Sequence, residues 1–88
     1  MIDPIDFNVE EGESPLKKIR ELLGVSQEEF GRRIGVSGQT VSRWERGIWP
    51  ATFTLAQIRA LRREIKALGL DLDDIPDDLG PRKAQTQN

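Results

Sequence analysis

The sequence predicts an all-α fold, a compact bundle of four to five helices, on three observations. Apolar residues recur at helical spacing in successive segments. Those segments open on Ser or Thr and close on Gly, the residues that cap helix starts and stops. No stretch alternates apolar and polar residues with a period of two, and no internal repeat appears. With 88 residues, 36% of them hydrophobic, the chain supplies one small core and not two.

The elements follow in order. Ser14-Pro15 is a helix start, a capping hydroxyl followed by proline at the first helical position. Leu16, Ile19, Leu22 and Leu23 form its stripe, and Gly24 stops it. Ser26-Gln27-Glu28-Glu29 reads as a capping box in which Glu29 reaches back to the cap; Phe30 and Ile34 are the buried stripe and Gly35 the end. A tight turn leads to a third helix over 37–46, capped by Ser37 and held to the core by Val41 and Trp44. Thr54-Leu55-Ala56-Gln57 is a second capping box, opening the longest helix with Leu55, Ile58, Leu61, Ile65 and Leu68 on one face. Leu70, Leu72 and Ile75 add a last short turn before Pro76.

This places the domain at 14–76. Residues 1–13 are expected to be a flexible acidic arm whose Ile2, Ile5, Phe7 and Val9 can dock on the domain. Residues 77–88 are expected to be a disordered polar tail.

The net charge of −2 and the sequence pI near 5.1 conceal a segregation. Residues 1–14 carry five carboxylates and no base. Residues 15–66 carry eleven Lys and Arg against five Glu, and residues 67–88 carry five Asp against Arg82 and Lys83. A basic centre between acidic ends suits a polyanion, and a solvated helical face produces the same pattern. The absence of Cys excludes disulfides and thiolate sites and fits a cytoplasmic, reducing location. The absence of His removes the usual zinc ligands and general bases, so neither an enzyme, a metal site nor a cofactor is expected. No apolar run reaches the ~20 residues of a membrane span, and the acidic N-terminus is unlike a signal or transit peptide.

The segment from Gln27 to Arg46 has the grammar of a helix-turn-helix: two short helices joined by a turn of three or four residues containing Gly. Gly31 is placed for close passage of the second helix, and Gly35 for a turn conformation costly to other residues. The stretch IRELLGVSQEEFGRRIGVSGQTVSRWERG resembles the DNA-binding domain of the lambda repressor and Cro family, also called the XRE family, with the likeness running from about Pro15 to Leu72. The resemblance implies that the helix over 37–46 enters the major groove of double-stranded DNA, its first turn deepest. It implies that Gln27 clamps a backbone phosphate at a helix N-terminus, with Ser26 beside it. It also implies that Arg20 and Glu45 form a structural ion pair between the first helix and the recognition helix.

Side-chain chemistry assigns the remaining roles. Gln39 suits bidentate pairing with adenine, and Arg43, one turn later on the same face, suits guanine. Thr40 and Ser42 carry short hydroxyls suited to a thymine methyl or a phosphate, and Ser37 and Arg46 flank the helix as phosphate contacts. Arg32 and Arg33 read equally as phosphate contacts or as solvated charges. Gly38 departs from relatives that carry a polar reader there and permits a close backbone approach instead. Ile48 and Trp49 stand where relatives often have Lys or Arg. Trp49 covers the bundle, touches the DNA backbone or contacts a second subunit; the sequence leaves these three open.

The function expected is sequence-specific DNA binding by a transcriptional regulator, a repressor acting as a homodimer on a near-palindrome. Two alternatives stand beside it. One is an antitoxin-like protein that also binds a basic, toxin-like protein partner through its acidic termini. The other is a helical interaction adaptor that reads no DNA.

Overall fold

The computed structural model describes residues 7–81. Four α-helices, α1 (Pro15–Leu23), α2 (Gln27–Ile34), α3 (Gly38–Glu45) and α4 (Leu55–Ala67), precede a short 3-10 turn at Leu72–Asp74, and the described residues contain no strand. The expected outer residues 1–6, with Ile2 and Ile5, and 82–88 lie outside the described residues. No helix is long and apolar enough to cross a membrane among the described residues.

Local hydrogen bonds set the helix starts. The Ser14 hydroxyl accepts from the Lys17 amide at 3.2 Å, and Pro15 occupies the first position, where no amide partner is lost. At α4 both halves of the capping box form: Thr54 Oγ1 accepts from the Gln57 amide at 3.1 Å, and Gln57 Oε1 accepts from the Thr54 amide at 2.9 Å. Gln57 Nε2 also donates to the Gly35 carbonyl at 3.2 Å, which ties the start of α4 to the turn between α2 and α3. At α2 only half of the expected box exists. Ser26 Oγ accepts from the Glu29 amide at 3.0 Å, but the Glu29 carboxylate turns away. Two guanidinium groups capture it, Arg32 at 2.7 Å and Arg33 at 2.9 Å, and charge-assisted bonds outcompete a neutral amide. Arg33 continues to Glu64 of α4 at 3.1 Å.

The core is Leu16, Ile19, Phe30, Ile34, Val41, Trp44, Ala60, Leu61, Ile65 and Leu70. Burying each large aliphatic or aromatic side chain contributes about 1.5–3 kcal/mol. Trp44 meets Phe53 edge-on, ring centroids 5.0 Å apart, so the loop before α4 closes over α3. Two expected core positions are exposed. Leu22 lies about 60° beyond Ile19 around the helix, past the edge of the buried stripe. Leu55 is 63% exposed: as the first residue of α4 it sits about 100° from the Leu61–Ile65 centre. Ala60 is buried on the opposite flank.

The helices α2 and α3 share the most extensive contact of any helix pair. Two glycines make it possible. Gly35 has φ 91°, and its amide bonds to the Gly31 carbonyl at 2.7 Å. A Cβ on Gly31 would stand 2.5 Å from the Val36 carbonyl oxygen, a backbone atom of the turn itself.

The described residues of both ends, 7–13 and 77–81, include segments that lie against the helices. Residues Phe7 and Val9 are half-buried, Lys18 lies 5.8 Å from the centre of the Phe7 ring, and its ammonium donates to the Asn8 carbonyl. Residues 77–81, at the start of the polar tail, lie against the domain. The Leu79 carbonyl accepts from the Ser14 hydroxyl at 2.7 Å and from the Leu16 amide at 3.4 Å, Leu79 packs on the core, and Pro81 lies against Gly47. One apolar residue in a polar stretch supplies the anchor.

Substituting Gly31→Ala is expected to destabilise the domain by about 1–3 kcal/mol, because the backbone oxygen it meets cannot rotate away. The check is a lower urea midpoint at unchanged m-value. A second expectation concerns acid. Hydrogen bonds from Arg33 and then Arg32 hold the Glu29 carboxyl below its ordinary range. The stability this confers is present above the unfolded-state value and is lost as pH falls through the lowered folded-state value. Thermal melts of Glu29→Gln and the unaltered chain should therefore differ at neutral pH and converge at the acid end.

Candidate nucleic-acid interface

Helix α3 divides its residues between two faces. Val41 is fully buried and Trp44 is 4% exposed, whereas Gln39 and Arg46 are open to solvent and Thr40, Ser42 and Arg43 are half-buried at the surface. The helix begins at Ser37, whose Oγ accepts from the Thr40 amide at 3.0 Å and donates to Thr40 Oγ1 at 2.9 Å. Two of the predicted hydroxyls are thus engaged with each other and present one shared oxygen edge.

Ser26, Gln27, Glu28, Gly38, Gln39, Ser42 and Arg46 line one open cleft where the N-termini of α2 and α3 converge. Five predicted site residues meet there; Thr40, Ser37 and Arg43 lie outside that lining. Gly38 explains the convergence. A Cβ at this position would stand 2.8 Å from Glu28 Cγ and 2.9 Å from Glu28 Cα, so the two helix starts can approach only without a side chain. Glu28 brings an exposed carboxylate to the same rim. That charge suits the α2 dipole and opposes an incoming phosphate.

Glu45 anchors the back of the helix. Its side chain is 3% exposed. Oε2 accepts from Arg20 Nε at 2.7 Å, and Oε1 accepts from Arg20 Nη2 at 3.1 Å and from Gln27 Nε2 at 2.9 Å. Arg20 Nη1 donates to the Val25 carbonyl at 3.1 Å. The hydrogen bond to Glu45 raises the Arg20 pKa against the opposing effect of burial. Every buried side-chain polar atom among the described residues has a partner.

The Gln27 contact was not legible in the sequence. The carboxylate accepts only, so the Gln27 amide must turn its NH2 toward Glu45, and the second hydrogen of that group remains for another acceptor. Arg32 and Arg33 are engaged with Glu29 and Glu64, which favours the solvated reading of both. Trp49 was left with three readings. It is 44% exposed, and its ring lies under the Arg43 guanidinium, whose carbon stands 4.5 Å from the ring centroid.

The geometry offers a polar helix edge, two helix N-termini and unpaired cationic groups on one side of the domain, and no cluster of His, Cys, Asp or Glu able to hold a metal among the described residues. Residues 16–75 match the family model described as Helix-turn-helix. No curated protein and no solved structure gives a significant match.

Replacing Glu45→Ala leaves Arg20, 15% exposed, without its counter-charge and is expected to cost about 3 kcal/mol. The pair Arg20→Met with Glu45→Leu should recover most of that loss in denaturant unfolding. A double variant no more stable than Glu45→Ala would mean that packing, not pairing, limits this site.

Proposed function

The chain belongs to the helix-turn-helix family of the lambda repressor and Cro type, and from that premise we propose that it binds a specific double-stranded DNA site through α3. The family is one of sequence-specific DNA binding, typical of transcriptional regulators, and is non-enzymatic. The observation that carries the reading is the division of α3. Its apolar residues are spent on the core, and Gln39 and Arg43 project one turn apart from the remaining face.

In this proposal Gln39 and Arg43 read base edges in the major groove, with Thr40 against a base edge or thymine methyl. A strand phosphate lies in the cleft between the α2 and α3 starts. There it accepts from Gln27, whose amide orientation Glu45 fixes, and from Ser26 and Ser42, with Arg46 supplying charge; Ser37 stands outside the cleft with its hydroxyl hydrogen donated to Thr40, so its expected phosphate contact is not part of this proposal. The chain acts as a regulator, a repressor, and two copies related by a two-fold axis place their α3 helices about 34 Å apart on a near-palindrome.

The test is selection of a site from a random duplex library, followed by titration of variants on the selected and on a random duplex. Gln39→Ala and Arg43→Ala should each lose about 5- to 150-fold on the selected duplex and little on the random one. Gln27→Ala should weaken both duplexes alike without changing the salt slope, because a neutral amide releases no counterion. Arg46→Ala should flatten the log–log salt slope by about 0.9. Equal losses on both duplexes for Gln39→Ala and Arg43→Ala would refute base reading by α3.

A further inference from the structure

We infer that Trp49 is a positioning residue for Arg43, holding its guanidinium in the plane from which it reads a base. The inference rests on the proposed reading of Arg43 as a base contact and adds a residue outside the recognition helix to the determinants of specificity.

The main chain puts the indole where it is. After α3 ends, the Ile48 amide donates to the Arg43 carbonyl at 2.9 Å and the Trp49 amide to the same oxygen at 3.5 Å. The chain thus folds back on Arg43 itself, and Trp49 arrives beside that side chain. Beyond it, Gly47, Pro50, Asp78, Gly80 and Pro81 wall the shallow hollow that the indole borders, so the docked segment 77–81 buttresses the loop. The Arg43 guanidinium carbon stands 4.5 Å from the Trp49 ring centroid. Among the described residues Arg43 makes no side-chain hydrogen bond and no ion pair, unlike Arg20, Arg32 and Arg33.

The chemistry of that contact suits a reader. In the proposed arrangement the guanidinium lies flat on the indole, held through its π-face, where it has no donors, while its N–H groups point outward in the plane. An ion pair would consume the same donors that a guanine edge needs. The stack therefore restrains a long, rotamer-rich side chain without occupying its hydrogen-bonding edge, and it removes part of the ordering cost that binding otherwise carries. A phosphate contact from Trp49 would use only its single indole N–H and would leave the ring's placement over Arg43 without a role.

The experiment is a double-mutant cycle with the full chain on two duplexes, the one selected by the unaltered protein and a random one of equal length. Trp49 is substantially exposed, so Trp49→Leu should fold, and a thermal melt verifies it. Trp49→Leu is expected to lose about 3- to 10-fold on the selected duplex and almost nothing on the random one. Trp49→Phe, which keeps an aromatic face, should restore most of that loss. In an Arg43→Ala background Trp49→Leu should have no further effect. Without DNA, the Arg43 Nε–H resonance should move on Trp49→Leu as the ring current disappears.

Four results would overturn the inference: equal losses on both duplexes, an undiminished loss in the Arg43→Ala background, tighter binding by Trp49→Leu, or an unmoved resonance. If Arg43→Ala itself leaves discrimination intact, the base-reading assignment fails and this inference with it. If Arg43→Ala loses discrimination but the cycle shows no coupling, only the role of Trp49 fails.

Discussion

A single buried carboxylate holds the three N-terminal helices in register. Glu45 sits at the last position of α3, where the helix dipole disfavours a negative charge. It is tolerated because Arg20 of α1 delivers two donors to it and Gln27 of α2 a third. A buried pair of this kind contributes little net stability against an apolar replacement. Its consequence here is geometric. Three elements must satisfy one acceptor group, so α3 cannot rotate about its axis without leaving a charge unpaired. The outward direction of Gln39 and Arg43 follows from the inward direction of Glu45.

The same logic of constraint runs through the contact between α2 and α3. Gly31 lets the turn's carbonyls lie against α2, and Gly38 lets the start of α3 lie against Glu28. These are steric permissions rather than attractions. Their combined effect is to bring two helix N-termini to one cleft, where exposed amides and hydroxyls converge. The side chain missing at Gly38 is thus a condition of the cleft. The price is one fewer group on the reading edge, which concentrates recognition on Gln39 and Arg43 in the proposed function.

What the sequence made legible was local. Helix starts at Ser14, Ser26, Ser37 and Thr54 and the stripe residues Leu16, Ile19, Phe30, Ile34, Val41, Trp44, Leu61 and Ile65 depend on neighbours within one or two turns, and periodicity records them. What escaped depends on distant partners. Glu29 has the right spacing for a capping box, yet two arginines hold it, one of them also reaching α4. Phe53 has no periodic companions, and its partner Trp44 lies nine residues earlier. Leu79 stands alone among polar residues, and only the α1 start across the fold reveals its use. At the candidate interface, the residue types and the buried face of α3 were readable. The Gln27–Glu45 bond and the stack of Arg43 on Trp49 were not, because each needs the return path of a loop or a second helix.

Charge accounting links these observations. The basic centre of the sequence is not a uniform field in three dimensions. Arg20, Arg32 and Arg33 are engaged with carboxylates, Lys66 stands 3.9 Å from Asp71, and Glu28 adds a negative group at the cleft itself. Among the described residues, Arg43 and Arg46 are the cationic side chains of α3 and its C-terminal end, and neither forms an ion pair. Non-specific affinity for a polyanion scales with the number of phosphates neutralised, so under the proposed function few such contacts are expected from this surface. A domain with weak background attraction gains its occupancy from the quality of a small number of contacts, and quality in a long side chain means restraint before binding. An arginine held by an aromatic face, with no in-plane donor engaged among the described residues, meets that requirement with one residue.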